Sequence, residues 1–476
     1  MILNIAIKEL TELVRDPWVR RVTLGFQALM VVALVGAAVE QWRWRTKAEE
    51  FEKAARQTWV NQGSKSPLAA TYFGMLALPP RSGLAILDPG TLPYLGQVAQ
   101  LRAGGGASFD FAMVVDEALR PVTGVLTPAF CWQMVFPLWM ILVLHTLLSR
   151  ERESGLERYL QALGVNQATM FFGKILAGAT AVLGLFAVNG LAVAVTIGLV
   201  GPLRGVDLSA LALVFCLYGL FYGVVLWLIF AVSALLRSGH GSVGVLLGVW
   251  LIVAVLLPAA VADLARARAV AATPVEISRI LKSDFEMGVP GEYPARELRS
   301  ASSLQMMLNQ LGAGRREQLP ISYPATHLMT EEELSGLSWD QRMASARQAI
   351  GRQNEQLLRW SMFTPMIAIR VLSQTLCGSD PEQRWVSVNE VETARRRFVR
   401  ILNRDMAANA KVSTGELERD QKLWDSVSMV KPDPVDPLDF LESRTRQIVT
   451  LLLWFAGMSV VAFGAVLVLP SWRARS

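Results

Sequence analysis

The chain has 476 residues, 52% of them hydrophobic and 18% charged, with a net charge of +6. That surplus does not argue for a nucleic-acid partner, because much of it sits in short loops beside long apolar runs, where membrane proteins keep their Lys and Arg. Three cysteines, Cys131, Cys216 and Cys377, without ligand spacing, point to neither a metal site nor a disulfide framework.

Residues 1–21 read as an interfacial helix on the cytoplasmic side. Ile2, Ile5, Leu10 and Leu13 share one face, Lys8, Glu9, Glu12 and Arg15 are polar, and Asp16-Pro17 ends or kinks it. No basic segment with a small-residue cleavage site follows the first Met, so no cleavable signal peptide is expected. A hydrocarbon core of about 30 Å needs roughly 20 apolar helical residues. Six runs are near or above that length, at 22–39, 130–148, 175–200, 208–236, 243–261 and 448–469. The fold class expected is an all-α polytopic membrane protein, with six transmembrane helices and a mostly helical extracytoplasmic domain built from two inserts.

The first insert, 40–129, begins as a charged helix, WRWRTKAEEFEKAARQTW, and then becomes turn-rich. Its LRAGGGAS run lacks a following GK[ST] and reads as a flexible loop rather than a phosphate cradle. In the second span His145 lies near the inner end, where snorkelling or helix contact is the cheaper expectation. For Asn189 in the third span the cheaper expectation is an interhelical hydrogen bond.

The loop 149–174 carries the strongest site signal. SRERESGLE follows a span directly, and Leu156, Leu160, Leu163, Phe171 and Phe172 put apolar side chains beside dense charge. Such a segment suits docking into a groove on a cytoplasmic partner; the plain alternative is a solvated turn.

The second insert, 262–447, is expected to be mostly helical. Thr364, Pro365 and Gly378 frame one short helix as cap, first-turn proline and stop. Val388, Val391, Ala394, Phe398, Ile401 and Leu402 form an apolar stripe. Arg395, Arg396, Arg397 and Arg400 occupy the other faces, either as an anion or lipid-headgroup patch or, more commonly, as a solvated helix face. KPDPVDPLDF is a stiff lead into the last span, and 470–476 is a short tail.

Lys and Arg in short loops set orientation. Lys8, Arg15, Arg20, Arg21, Arg150, Arg152, Arg158, Lys174, Arg237, Arg473 and Arg475 fall on one side, and Arg204 alone on the other. Both termini are therefore expected inside and both inserts outside. The three histidines, His145, His240 and His327, cannot form a metal site by local spacing. LSGLSWDQ and GVNQATMFFGK only loosely echo nucleotide-binding motifs, so no ATP-hydrolysing machinery is expected in the chain.

IAIKELTELVRDP before the first span and RERESGLERYLQALGVNQATMFFGKILAG between the second and third resemble the permease subunits of ABC-2 type exporters. SPLAATYFGMLALPPRSGLAILDPGTLPYLG, LPISYP and FTPMIAIRVLSQTLCGSD are similar to a subclass with two large outward inserts. The resemblance implies a connecting helix before the first span, a coupling helix in the charged loop, and re-entry into the membrane at Gly173-Lys174. It implies no cofactor held by the chain itself, ATP being bound by a cytoplasmic ABC ATPase subunit. Further partners would be a second permease copy or paralogue, membrane lipid, and a periplasmic or envelope protein, at the bacterial cytoplasmic (inner) membrane.

Arg150, Glu151, Arg152, Glu153, Gly155, Leu156, Glu157, Leu160 and Lys174 would be the coupling residues. Arg150, Arg152 and Glu153 would pair with ATPase charges, Leu156 and Leu160 would fill its groove, and Gly155 would allow close approach. The rival is a mechanotransmitting or sensory protein whose outer domain binds an envelope partner or ligand without forming a transport path.

Overall fold

The computed structural model describes all residues except 79–80, 91, 93–97, 104–107, 112–125, 163, 201–204, 237, 269–273, 290, 320–322, 410–416, 420, 429–434 and 474–476. The GGG loop, Leu163, Arg204, Arg237, Arg475 and parts of the quoted insert segments thus lie outside the described residues, as do the side chains of Arg152, Glu157, Arg158 and Arg473.

Six described helices are long and apolar enough to cross a membrane. The amphipathic helix α1, Ile2–Arg15, ends at Asp16, whose extended backbone starts α2, Pro17–Val60. Asp16 caps α2 by accepting from Trp18 N at 2.8 Å, and Pro17 needs no hydrogen-bond partner in the first turn. The 44 residues of α2 span about 66 Å at 1.5 Å each. That is twice the hydrocarbon thickness, so the charged sequence after 39 continues the same helix into the first insert.

The second and fifth spans each contain a wide π turn, Cys131–Val135 and Leu251–Leu256. Such turns disturb the regular backbone ladder, and here neighbouring spans supply donors to the second. Tyr222 donates to Trp132 O at 3.0 Å, and Trp250 Nε1 donates to Met134 O at 3.2 Å. Fourth and sixth spans, Gly205–Leu235 and Thr445–Arg473, approach closely because Gly223 has no side chain. A Cβ there would stand 2.5 Å from the Phe455 ring. Edge-on aromatic contacts fill the bundle, with Trp132 and Tyr218 centroids 5.0 Å apart and Trp132 and Phe186 5.1 Å apart.

At the other end from α1, the two inserts share a second core. Trp59 at the end of α2 meets Phe398 and Trp424 edge-on at 5.0 and 5.6 Å. Each indole N–H has a carbonyl: Trp59 donates to Trp424 O and Trp424 to Gly63 O. Ala70 of helix α3, Pro67–Phe73, joins this core. So do Met75 and Leu101 of a small antiparallel sheet, β1 Met75–Ala77, β2 Val98–Leu101 and β3 Ser108–Phe111, in that order. The turn-rich reading of this insert did not include the sheet.

The helix Pro381–Asn409 buries Val391, Phe398 and Leu402 as expected from the stripe, whereas Ile401 is exposed. The four arginines do not form one cationic patch. Arg395 is fully buried, bonding Glu392 at 2.8 Å, Glu332 at 2.6 Å and Arg102 O at 2.9 Å. Arg396 pairs with Glu392 and Asp340, both at 2.7 Å. Only Arg397 and Arg400 of the four stay exposed, because the carboxylates of this helix and of Tyr323–Ser361 neutralise the others.

Candidate functional site

The charged loop between the second and third spans is two short helices, Thr146–Glu153 and Leu156–Ala162, joined at Gly155. Gly155 has φ 75°, a left-handed turn that a side chain would strain. Nothing lies within 4 Å of where its Cβ would be, so within this chain the glycine serves the turn and not close packing.

One side of the loop faces inward. The third span, Gln167–Val200, lets α1 lie against it at Gly173, where a Cβ would meet Ile5 at 2.6 Å. That contact places Glu9 of α1 beside the next residue, Lys174. Lys174 Nζ lies 3.1 Å from Glu9 and 3.2 Å from Glu151, with all three side chains buried. Lys8 adds a contact to Glu151 at 3.3 Å. Burial works against the Lys8 charge, but Glu9, Glu151 and Glu12 outweigh it and raise its pKa. Glu153 accepts from the Gly239 N–H at 2.7 Å, holding the start of the fifth-span helix Gly239–Trp250. A Cβ on Gly239 would stand 2.8 Å from Ser149 Oγ, so this junction is also tight.

The other side faces outward. Arg150 is exposed and reaches Glu12 only at 3.7 Å. Leu156 is 38% and Tyr159 63% exposed, while Leu160 is half-buried. Tyr159 was missed in the sequence, although it lies three residues after Leu156 and therefore on the same helical face. The expected coupling set is thus divided. Glu151 and Lys174 are buried and engaged within the chain; Glu153 holds Gly239 N but stays exposed, as do Arg150 and Leu156.

A family model described as ABC-2 family transporter protein matches residues 3–469, from α1 through the sixth span and including both inserts. The chain belongs to the ABC-2 family. Among curated proteins none matches it. As an ABC-2 protein it is the membrane component of an ABC transporter, and the family implies a cytoplasmic ABC ATPase as its partner.

The remaining polar positions expected in this ABC-2 chain are satisfied locally. His145 is half-buried, its Nδ1 3.0 Å from Ile141 O. Asn189 is buried and donates to Leu185 O at 2.8 Å, a bond within its own helix and not the interhelical one expected. A side chain bonding back one turn already satisfies its donor without a partner span. Among the described residues no group of His, Cys, Asp and Glu could hold a metal ion.

Proposed function

We propose that this ABC-2 chain is the permease subunit of an ATP-driven exporter in a bacterial cytoplasmic membrane, with both termini and the loop 149–174 on the ATP side and both inserts outside. The observation that most supports this is the two-sided loop. Arg150, Leu156 and Tyr159 offer a charged and apolar outward face, while Glu151, Glu153 and Lys174 tie the inward face to three other elements. A push on the outward face is then delivered to α1, the third span and the fifth span together. A loop held by its ends alone would absorb the same push by swinging.

Free energy enters through the ATPase, because a partner shifts an equilibrium only by binding its two states differently. A second permease copy or paralogue completes the path. The apolar windows of the first and fifth spans, only 22% and 17% buried, leave surface for that copy and for lipid.

Leu156→Glu and Tyr159→Ala test this in the full chain expressed with its ATPase. Loss of one anchoring side chain at such a contact weakens binding about tenfold or more. We expect co-purification of the ATPase and ATP-dependent export to fall while the unfolding temperature of the permease holds. Full co-purification with full export in both variants would sink the assignment.

One feature of the inserts favours the mechanotransmitting reading instead. A cleft of about 630 Å³ opens between the helices Tyr323–Ser361 and Pro381–Asn409, lined by Arg347, Gln348, Trp385 and Arg444 among others. An envelope partner or ligand seated there would receive force rather than yield cargo. ATPase activity that responds to candidate cargo, and not to envelope protein, decides for export.

A further inference from the structure

Two segments of the inserts lie inside the apolar core of the spans. The turn Gly83–Ile86 buries Leu84 and Ile86, and Leu87 follows them. The helix Pro365–Leu376 buries Met366, Ile369 and Leu372. All belong, with Trp132, Leu217 and Tyr218, to the main core cluster or to its buried rim. The two segments meet closely. A Cβ on Gly378, at φ 72°, would stand 2.8 Å from Ser82, and one on Gly90, at φ 50°, 2.7 Å from Ser379 O. Eight of the twelve residues of Pro365–Leu376 are buried, so it packs as part of this core. Together the segments form a stopper seated on the insert end of the bundle.

One chain of hydrogen bonds runs through it. Gln133 Nε2 of the second span donates to Tyr218 OH of the fourth at 2.9 Å. Tyr218 donates to Ser373 Oγ at 3.1 Å, and Ser373 donates to Asp88 Oδ2 at 2.6 Å. Gly90 N donates to the other Asp88 oxygen at 3.1 Å, and Arg370 Nε donates to Gln133 Oε1 at 3.4 Å. Asp88, Ser373, Tyr218 and Gln133 are all buried. The chain thus links the first insert, the second insert and two spans. Apolar packing alone would let these parts slide; buried polar bonds fix their register.

We infer that Gln133, Tyr218, Ser373 and Asp88 are positioning residues of an outer gate, a latch that holds the stopper on the second and fourth spans and parts when cargo leaves. This rests on the exporter reading. The bonds are neutral or single-charge and few, so they can part and re-form in every cycle, and because they share partners they part together. The latch is therefore suited to two states.

A native cysteine reports on it. Cys377 is fully buried at the end of the stopper helix, and burial pushes its thiol well above the usual range, so it is slow to react while the stopper is seated. Cys131→Ala and Cys216→Ala leave it as the single thiol. The full chain with its ATPase in nanodiscs is treated with a membrane-impermeant maleimide, with and without ATP. We expect slow labelling of Cys377 without ATP and faster labelling during hydrolysis. Without ATP, Tyr218→Phe and Asp88→Ala should label about fivefold to thirtyfold faster, the factor for losing a buried hydrogen bond. Asp88→Asn keeps an acceptor for Ser373 and should stay near the parent rate, whereas Asp88→Leu fills the space without an acceptor and should label as fast as Asp88→Ala, which a merely space-filling role for Asp88 would not give.

Tyr218→Phe removes one oxygen and keeps the ring, so it remains informative if Asp88→Ala misfolds. If both variants label at the parent rate while ATP still accelerates labelling, the latch is wrong and the exporter reading stands. If the ATPase co-purifies and hydrolyses ATP yet never changes parent labelling, the gate is wrong. If no ATPase co-purifies, the exporter reading fails and the gate falls with it.

Discussion

Lys174 and Glu9 lie 165 positions apart in sequence, yet Lys174 Nζ donates to Glu9 Oε1 at 3.1 Å inside the foot of the bundle. The same ammonium serves Glu151 at 3.2 Å, so one cation joins α1 and the charged loop to the third span. Replacing Lys174 by Met would leave two buried carboxylates with only the half-exposed Lys8, 3.7 Å from Glu9 and 3.3 Å from Glu151. Breaking a buried pair in this way costs about 3–5 kcal/mol. The expected result for Lys174→Met is a large fall in unfolding temperature together with loss of ATPase co-purification. An unchanged melt in detergent would show that water or rearrangement relieves the carboxylates and that the network holds nothing.

Gly173 and Ile5 make a packing contact that only glycine permits, since a Cβ would stand 2.7 Å from Ile5 Cβ, an atom next to the backbone. Alanine ordinarily improves a helix by about 1 kcal/mol over glycine. Here overpacking, at about 1–3 kcal/mol, should win and displace α1. Gly173→Ala is expected to lower the unfolding temperature and expose Arg15 to trypsin. Adding Ile5→Gly, which removes the clashing Cβ, should restore part of the loss. A double variant no better than the single one would place the damage elsewhere.

These contacts show where the sequence stops being legible. The apolar runs, the Asp16-Pro17 break and the amphipathic pattern of α1 depend on neighbours within a few residues, and a single strand of text carries them. The charged loop was visible by composition. Which of its charges turn inward was not, because Glu9 and Gly173 decide it from afar. The strands of three or four residues are too short for alternation to be read. Gly83–Ile86 stood out only as a family-like segment and Pro365–Leu376 also as a capped short helix; their meeting is a property of the fold.

Arg395 ties three parts of the insert body, through Glu332, Glu392 and the carbonyl of Arg102. Buried Glu392 holds both Arg395 and Arg396. Arg395→Lys keeps the charge and loses the planar fork, so it should still destabilise. Arg395→Met should cost more, about 3–5 kcal/mol. Arg397→Gln, on the exposed side, should stay within about 0.5 kcal/mol of the parent. Chemical unfolding of the three variants gives the order. Equal effects at 395 and 397 would overturn the division of the arginine cluster.

Asp88 gives the chain a distinct pH response. Burial raises its pKa above the ordinary carboxyl value, against the opposing bonds from Ser373 and Gly90 N and the charge of Arg370. The thiol of Cys377 also faces it, and the phenol of Tyr218 reaches it through the Ser373 hydroxyl. The folded state therefore prefers the protonated acid. Its destabilising contribution is full above the raised folded pKa, shrinks as pH falls through that value, and is gone below the ordinary value of 3.8. Paired carboxylates such as Glu392 act in the opposite direction on acidification, so the parent melt alone mixes the two. The informative quantity is the parent minus Asp88→Asn difference in unfolding temperature. On acidification from neutral pH to about pH 4, the parent should gain stability relative to Asp88→Asn. A difference flat across that window would mean that Asp88 sees water in the folded protein.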